Sequence, residues 1–167
     1  SGVRSNFGIG LMNNELFVMG GVIKYSNTTA LIATNKCEKY NPNTNQWSSI
    51  ASHPLPIVQG TNLGIWGGVI ENNFYAITIN SSKCAKYDPL TNKWSFVTSM
   101  PAGSITGFIS NPTVTIHKKF MYVIGITVSS FWKTIYYNPI SDVWFDTLGE
   151  ITHSLTDMAT ASITINN

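Results

Sequence analysis

Three copies of one eight-residue pattern constrain this chain of 167 residues more than any other feature. Each copy reads Tyr-Asn/Asp-Pro-x-Thr/Ser-x-x-Trp. The copies occupy residues 40–47, 87–94 and 137–144. Successive tryptophans lie at positions 47, 94 and 144, so a unit of slightly under fifty residues is repeated.

The local chemistry of the pattern predicts a hairpin corner. Asn or Asp followed by Pro favours the first two positions of a type I turn, because the Pro ring presets φ. The Tyr and the Trp then lie on the two strands that the corner joins, where each ring can be buried while its O–H or N–H stays hydrogen-bonded. The predicted structural residues of the three corners are Tyr40, Pro42 and Trp47, then Tyr87, Pro89 and Trp94, then Tyr137, Pro139 and Trp144.

A second predicted hairpin precedes each corner. Runs rich in β-forming residues flank short polar turns at Asn13-Asn14, Asn72-Asn73 and Lys118-Lys119. Each unit therefore has four strands, which is the content of one propeller blade. Segments with helical periodicity are absent from the sequence, so the predicted fold class is all-β.

These residues resemble the kelch-repeat family, and more narrowly the β-propellers of kelch-like proteins. The resemblance is carried by residues 16–21, which end in Gly20-Gly21, by residues 37–42, and by Trp47. It implies a partial kelch β-propeller of about three four-stranded blades, at residues 4–60, 61–107 and 108–156, plus the first strand of a fourth at 157–167. The double glycine is altered in the second and third units, so these blades are expected to be less regular.

Three blades and one strand do not close a ring, because propellers have about 4 to 8 blades. The end blades would otherwise expose large apolar faces. We expect the remaining blades to come from a longer parent chain, as about half of a six-bladed ring, or from a second copy of this chain.

Composition excludes several classes of function. Lys and Arg number 10 against 8 Asp and Glu, and they are scattered, so no nucleic-acid partner is predicted. No apolar run approaches the roughly 18 residues of a membrane span. Cys37 and Cys84 lie one repeat apart, too far for a disulfide, and are expected to be small buried residues. The expected location is the cytoplasm.

The sequence predicts no enzyme. His53, His117 and His153 show no metal-ligand spacing, and His53 and His117 are expected in a loop and at a turn. The sequence also lacks a nucleophile elbow, a phosphate-binding glycine loop and a Cys-x-x-Cys pair. No catalytic residue, metal or cofactor is predicted.

The predicted function is protein–protein interaction through loops, which carry recognition in this family. The candidate binding face combines the linkers 22–36 and 127–133 with the segments 53–61 and 102–106. Its candidate partner-binding residues are Lys24, Tyr25, Asn27, His53, Gln59, Ser81, Phe131 and Trp132. Tyr and Trp at a loop tip are typical interface anchors, although Phe131 and Trp132 could equally pack against their blade.

The resemblance also implies a more specific role. Kelch-like proteins commonly join such a propeller to BTB and BACK domains and deliver substrates to a cullin-RING ubiquitin ligase. The alternatives are a cytoskeletal or scaffolding kelch protein, and a fragment of a secreted carbohydrate-active kelch enzyme of the oxidase or sialic-acid mutarotase type. Arg4 is the only arginine, so an acidic target is not indicated.

Overall fold

The computed structural model describes residues 2–26, 30–55, 64–78, 81–101, 112–126 and 132–151. Within these ranges the chain forms fifteen strands in four antiparallel sheets. No helix occurs in these ranges, which confirms the all-β prediction. The strand expected at residues 157–167 lies outside them.

Three of the sheets are the predicted four-stranded blades, and the strands of each blade are hydrogen-bonded to one another in the order in which they occur in the chain. The first blade contains β2 (Gly8–Met12), β3 (Glu15–Met19), β6 (Cys37–Asn41) and β7 (Gln46–Ile50). The second contains β8 (Trp66–Ile70), β9 (Asn73–Thr78), β10 (Ser81–Asp88) and β11 (Lys93–Val97). The third contains β12 (Thr113–His117), β13 (Phe120–Ile126), β14 (Trp132–Asn138) and β15 (Val143–Ile151).

The fourth sheet is small and was not predicted. It consists of β1 (Gly2–Ser5), β4 (Val22–Tyr25) and β5 (Leu31–Ala33), with β4 in the middle. Two of its strands therefore lie within residues 22–36, which the sequence suggested to be a variable loop. We call this element the linker sheet.

Each Pro-containing corner is a hairpin turn, as predicted, and a side chain closes it. Asn41 Oδ1 accepts hydrogen bonds from the backbone N–H groups of Asn43 (2.9 Å) and Thr44 (3.3 Å). Asp88 and Asn138 make the same contact with the residue two positions on, at 2.9 Å. Such side-chain caps explain why Asn or Asp stands before the Pro.

The sixth position of the pattern has a left-handed backbone in all three corners. Asn45, Asn92 and Asp142 have φ values of 55°, 52° and 54°. Asn and Asp adopt this conformation more readily than other residues with a Cβ. The Tyr of each corner donates a hydrogen bond to that same side chain, at 2.8 Å from Tyr40 to Asn45 and at 2.9 Å from Tyr87 to Asn92.

The same side chain also joins neighbouring blades. Asn92 Oδ1 accepts the backbone N–H of Ala51, which follows the outer strand of the first blade, at 2.9 Å. Trp94 Nε1–H donates to the carbonyl of that same residue at 2.9 Å. In the next interface Asp142 and Trp144 hold the backbone of Thr98, at 2.9 and 2.8 Å. We call this paired contact the backbone clamp.

Apolar side chains fill the space between blades around each clamp. Phe17 of the first blade meets Tyr87 of the second at a ring distance of 6.0 Å, and Tyr75 meets Tyr137 of the third at 5.8 Å. Tyr87 and Tyr137 are each 1% exposed. The inner strands approach closely because glycine faces the neighbouring blade: a Cβ on Gly10 would lie 2.5 Å from Val69.

We expect Trp94→Phe to lower the free energy of unfolding by about 1 kcal/mol, because it removes the hydrogen bond to Ala51 and leaves that carbonyl unsatisfied. Chemical denaturation of the dilute chain measures this. Trp47→Phe is the matched control: its indole nitrogen has no hydrogen-bond partner among the described residues, so a change within about 0.5 kcal/mol is expected. Equal losses at both positions would contradict the clamp.

Candidate functional site

The chain path gathers the long connections at one end of the blades. In an antiparallel blade, the link between the second and third strands and the exit of the fourth lie at the same end, opposite the Pro-containing corners. Residues 22–36, Ser81 and Trp132 occupy these links, and His53 and Met100 occupy the exits. We call this region the linker end.

The exits and links are hydrogen-bonded to one another in a repeated way. The backbone N–H of His53 donates to the carbonyl of Asn35 at 3.0 Å, and that of Met100 donates to Ser82 at 2.8 Å. Met100 follows His53 by 47 residues and Ser82 follows Asn35 by 47 residues, which is also the spacing from Trp47 to Trp94. The linker end is therefore built on a regular framework.

Two cysteines belong to this framework. The thiols of Cys37 and Cys84 donate to the carbonyls of Asn35 and Ser82, each at 3.5 Å. Both cysteines are buried and unbridged, as predicted. Burial raises the pKa of Cys84 to about 12 and raises the pKa of Cys37 above its usual value of 9.0. The cysteines therefore stabilise the links and are poor nucleophiles.

The linker sheet presents the most exposed apolar surface at this end. Tyr25 is 42% exposed, Leu31 53% and Ile32 42%. Lys24 beside them is also exposed, and residues 22–36 contain two lysines and no acidic residue. β5 is an edge strand of its sheet, so this surface combines apolar side chains with a sheet edge.

His53 is not a surface residue, which corrects the expectation that it lies exposed in a loop. Its side chain is 4% exposed, and its Nε2–H donates to the carbonyl of Thr34 at 3.3 Å. The ring also lies against Gly20, where a Cβ would come within 2.6 Å of Nε2. Nδ1 is buried without a hydrogen-bond partner, and burial lowers the pKa of the ring. His53 therefore supports the linker from below.

Trp132 is also buried, at 5% exposure, so it is not an exposed anchor at a loop tip. Ser81 is half-buried, and its hydroxyl accepts the backbone N–H of Lys83 at 3.1 Å, as Thr34 does for Lys36 at 3.2 Å. Asn27, Gln59 and Phe131 lie outside the described residues, as do His153 and the segment 102–106. Of the candidate binding residues that the structure describes, Lys24 and Tyr25 are the exposed ones.

The described residues contain no group of three or more His, Cys, Asp and Glu side chains that could hold a metal ion. In the same part of the chain, no helix is long and apolar enough to cross a lipid bilayer.

Consecutive four-stranded sheets that pack face to face, with the corner of each sheet hydrogen-bonded to the backbone of the sheet before it, define a segment of a β-propeller. Residues 4–54 match the family model of the Kelch motif. The solved structure of YjhT, a kelch-type propeller protein, superposes with a TM-score of 0.69 at 16% identity, over 90% of this chain and 53% of that chain. Residues 4–54 thus carry a kelch repeat, and the chain has the fold of a partial propeller and spans about half the length of that neighbour. No curated protein matches the sequence.

We expect the free energy of unfolding to fall as the pH drops from about 7 to about 5, because the folded chain holds His53 neutral while the unfolded chain protonates it near pH 6.5. This stability is fully present above the unfolded pKa and is lost as the pH falls through the lowered folded value. The slope for one proton is at most about 1.4 kcal/mol per pH unit. His53→Gln should flatten it, measured by urea denaturation at several pH values. The exposed His117→Gln is the control, and an unchanged slope in His53→Gln would contradict the assignment.

Neither cysteine should react with a thiol reagent at pH 8 in the folded chain, since both thiols are buried and their pKa values are raised. In denaturant both should react at once. The rate at which a chromogenic disulfide reagent releases its coloured thiolate measures the reaction under both conditions. Reaction of the folded chain at the rate of an unfolded one would show that the linker framework is open.

Proposed function

We propose that this chain is a protein-interaction module that binds its partner at the linker end, with the linker sheet as the main contact. The single observation that carries the proposal is that both faces of the linker sheet carry exposed apolar side chains next to its edge strand: Tyr25 and Ile32 on one face, and Leu31 on the other, beside Lys24. A few anchor residues, of which Tyr is one of the most frequent, supply most of the binding energy of a protein interface.

Several contacts support a preformed site. β4 pairs with both β1 and β5, and Thr34 N–H donates to the carbonyl of Gly21 at 2.9 Å. His53 packs beneath the same segment. Because these contacts order the linker sheet before a partner binds, little conformational entropy has to be lost on binding.

The partner that this surface fits is itself apolar at the contact. Residues 22–36 offer two lysines and no carboxylate, and Arg4 is paired with Glu38 at 2.6 Å. An arginine-lined acidic-peptide site is therefore not the basis of the proposal. An extended segment could add to the edge of β5 by β-strand pairing while its apolar side chains contact Leu31.

The more specific role that we propose is substrate recognition for a cullin-RING ubiquitin ligase adaptor in the cytoplasm, without catalytic activity. This role rests on the likeness to kelch-like proteins, since fold alone does not fix function. Recovery of a cullin together with the partner, from cells expressing the protein, tests it. Recovery of the partner without a cullin would leave the interaction module and remove the adaptor role.

The binding surface itself is tested by a triple variant, Tyr25→Ala, Leu31→Ser and Ile32→Ser. Crosslinking and affinity capture from a lysate should lose the partner that the unmodified chain retains, with at least about a tenfold drop in recovery, since each anchor contributes about 1 to 2 kcal/mol.

The matched control replaces exposed apolar residues at the opposite end of the blades. Leu90→Ser and Ile140→Ser alter corner residues that are 83% and 81% exposed, so they lower surface hydrophobicity to a similar degree. This double variant should keep the partner. Loss in the control, or retention in the triple variant, would place the contact elsewhere.

A further inference from the structure

His53 contacts both the linker and the second blade from a buried position. Its backbone N–H donates to the carbonyl of Asn35 at 3.0 Å, and its Nε2 lies 3.3 Å from the carbonyl of Thr34. Its ring lies edge to face against that of Trp94, with the ring centroids 6.2 Å apart. The end of the linker is therefore held by contacts with one titratable residue.

The hydrogen bond to Thr34 fixes the tautomer of the neutral ring. A carbonyl oxygen only accepts, so Nε2 carries the proton and Nδ1 carries none. Nδ1 is buried and has no hydrogen-bond partner among the described residues. A second proton would make Nδ1 a buried donor without an acceptor and would give the buried ring a charge, and both are costly. The closed linker therefore fits the neutral ring and not the protonated one.

Within the described part of the chain, the neighbours of the ring give a second proton no counter-charge. Burial lowers the pKa of the ring, and the hydrogen bond to Thr34 opposes this effect only in part. The Cys37 thiol, which interacts with the backbone N–H of His53, stays neutral because burial raises its pKa. Glu38 is already in an ion pair. Residues 54–63, which follow in the chain, contain no Asp or Glu. The elements around the ring otherwise present uncharged or cationic groups, which are Gly20, Ile65, Trp94 and the exposed Lys36.

The second blade has the same framework without a titratable group. Met100 stands where His53 stands, and its backbone N–H donates to the carbonyl of Ser82 at 2.8 Å. Cys84 donates to that carbonyl as Cys37 does to its counterpart in the first blade. Met100 is buried and cannot take up a proton. The framework therefore does not require a histidine, and His53 adds a pH-dependent property to the first blade.

We propose that protonation of His53 releases the linker segment 31–36 from the first blade while the four-stranded blades stay folded. Few backbone bonds hold this segment outside its own sheet: Gly20 N–H donates to Lys36 at 3.0 Å, and Thr34 N–H donates to Gly21 at 2.9 Å. β5 lies at the edge of the linker sheet. The segment can therefore open without breaking the ladders of a blade.

The opening equilibrium should shift toward the open form as the pH falls. In the open form the ring is solvated and titrates near its ordinary pKa of about 6.5, whereas burial lowers the pKa of the closed form. The closed form is fully stable above the ordinary value and loses stability as the pH falls toward the lowered one. Between about pH 7 and about pH 5 the opening constant should rise several-fold, and at most about 25-fold for one proton.

Amide hydrogen exchange of the isotope-labelled chain, followed by NMR without any partner, tests the proposal. Each rate is expressed relative to that of an unstructured peptide at the same pH, which removes the intrinsic pH dependence of exchange. By this measure the amides of Gly20 and Thr34 should exchange several-fold faster at about pH 5 than at about pH 7. The amide of Met100, which closes the corresponding link of the second blade, should not change.

Low concentrations of urea distinguish a local opening from unfolding of the whole chain. A local opening exposes little surface, so exchange at Gly20 and Thr34 should be nearly independent of urea, whereas exchange of the buried strand β9 should accelerate. The β9 amides should also remain the better protected ones at about pH 5. If the linker amides follow β9 in urea, protonation unfolds the blades and the proposal is wrong.

Substitution of each histidine assigns the response. His53→Gln should remove the pH response of the linker amides, because its side-chain amide can still donate to Thr34 but does not titrate. The exposed His117→Gln is the matched control and should keep the response. If circular dichroism shows that His53→Gln does not fold, His53→Met introduces the residue that the second blade has at this position. A response that persists without His53, or no response in the wild-type chain, would overturn the proposal.

A consequence for the partner rests on the proposed function: opening removes the support of the linker sheet, so capture of the partner should weaken in mild acid. Capture at about pH 5 relative to about pH 7 should fall several-fold more for the wild-type chain than for His53→Gln. A pH response in exchange but not in capture would keep the opening and place the partner elsewhere. Capture that depends on Tyr25, Leu31 and Ile32, without a pH response in exchange, would keep the proposed function and overturn the opening.

Discussion

A single side-chain oxygen at the second corner, and another at the third, holds the preceding blade in place. Asn92 and Asp142 each accept a Tyr hydroxyl from their own blade and a backbone N–H from the blade before. The left-handed backbone at these positions aims the oxygen at both donors, and the Trp two residues on completes the contact with an N–H. Because an unsatisfied buried group is costly, the repeat keeps Tyr, Asn or Asp, and Trp in step.

The corners and the four strands of each blade could be predicted because they rest on local chemistry. Pro fixes φ, Asn or Asp caps the turn, and β-forming residues flank short polar turns. The role of the sixth position was missed, although Asn45, Asn92 and Asp142 are all of one chemical kind. Its partner in the preceding blade is a backbone, at Ala51 or Thr98, and backbone recognition leaves no signature in the partner's sequence.

The candidate site was harder to predict, since exposure depends on what folds over a residue. A lone histidine beside Pro54 has the pattern of a surface loop, yet the linker covers His53 and hydrogen-bonds its ring. Trp132 begins a strand and is buried. Conversely, residues 22–36 contain two strands because β1, which precedes the blade, supplies the pairing partner. Among the residues that the structure describes, Lys24 and Tyr25 are the ones that were predicted for the site and are also exposed.

The exposed apolar side chains of the first blade and those of the linker sheet differ in what they do for the fold. Ile9, Leu11 and Trp47 lie on the side of the first blade that corresponds to the filled sides of the second and third blades, so their apolar character belongs to the packing of one blade on the next. The linker sheet has no counterpart in the described parts of the second and third blades, and its Tyr25, Leu31 and Ile32 fill no interface between blades. In repeat proteins each unit contacts only its neighbours. The apolar side chains of the linker sheet are therefore the ones that packing between blades does not require.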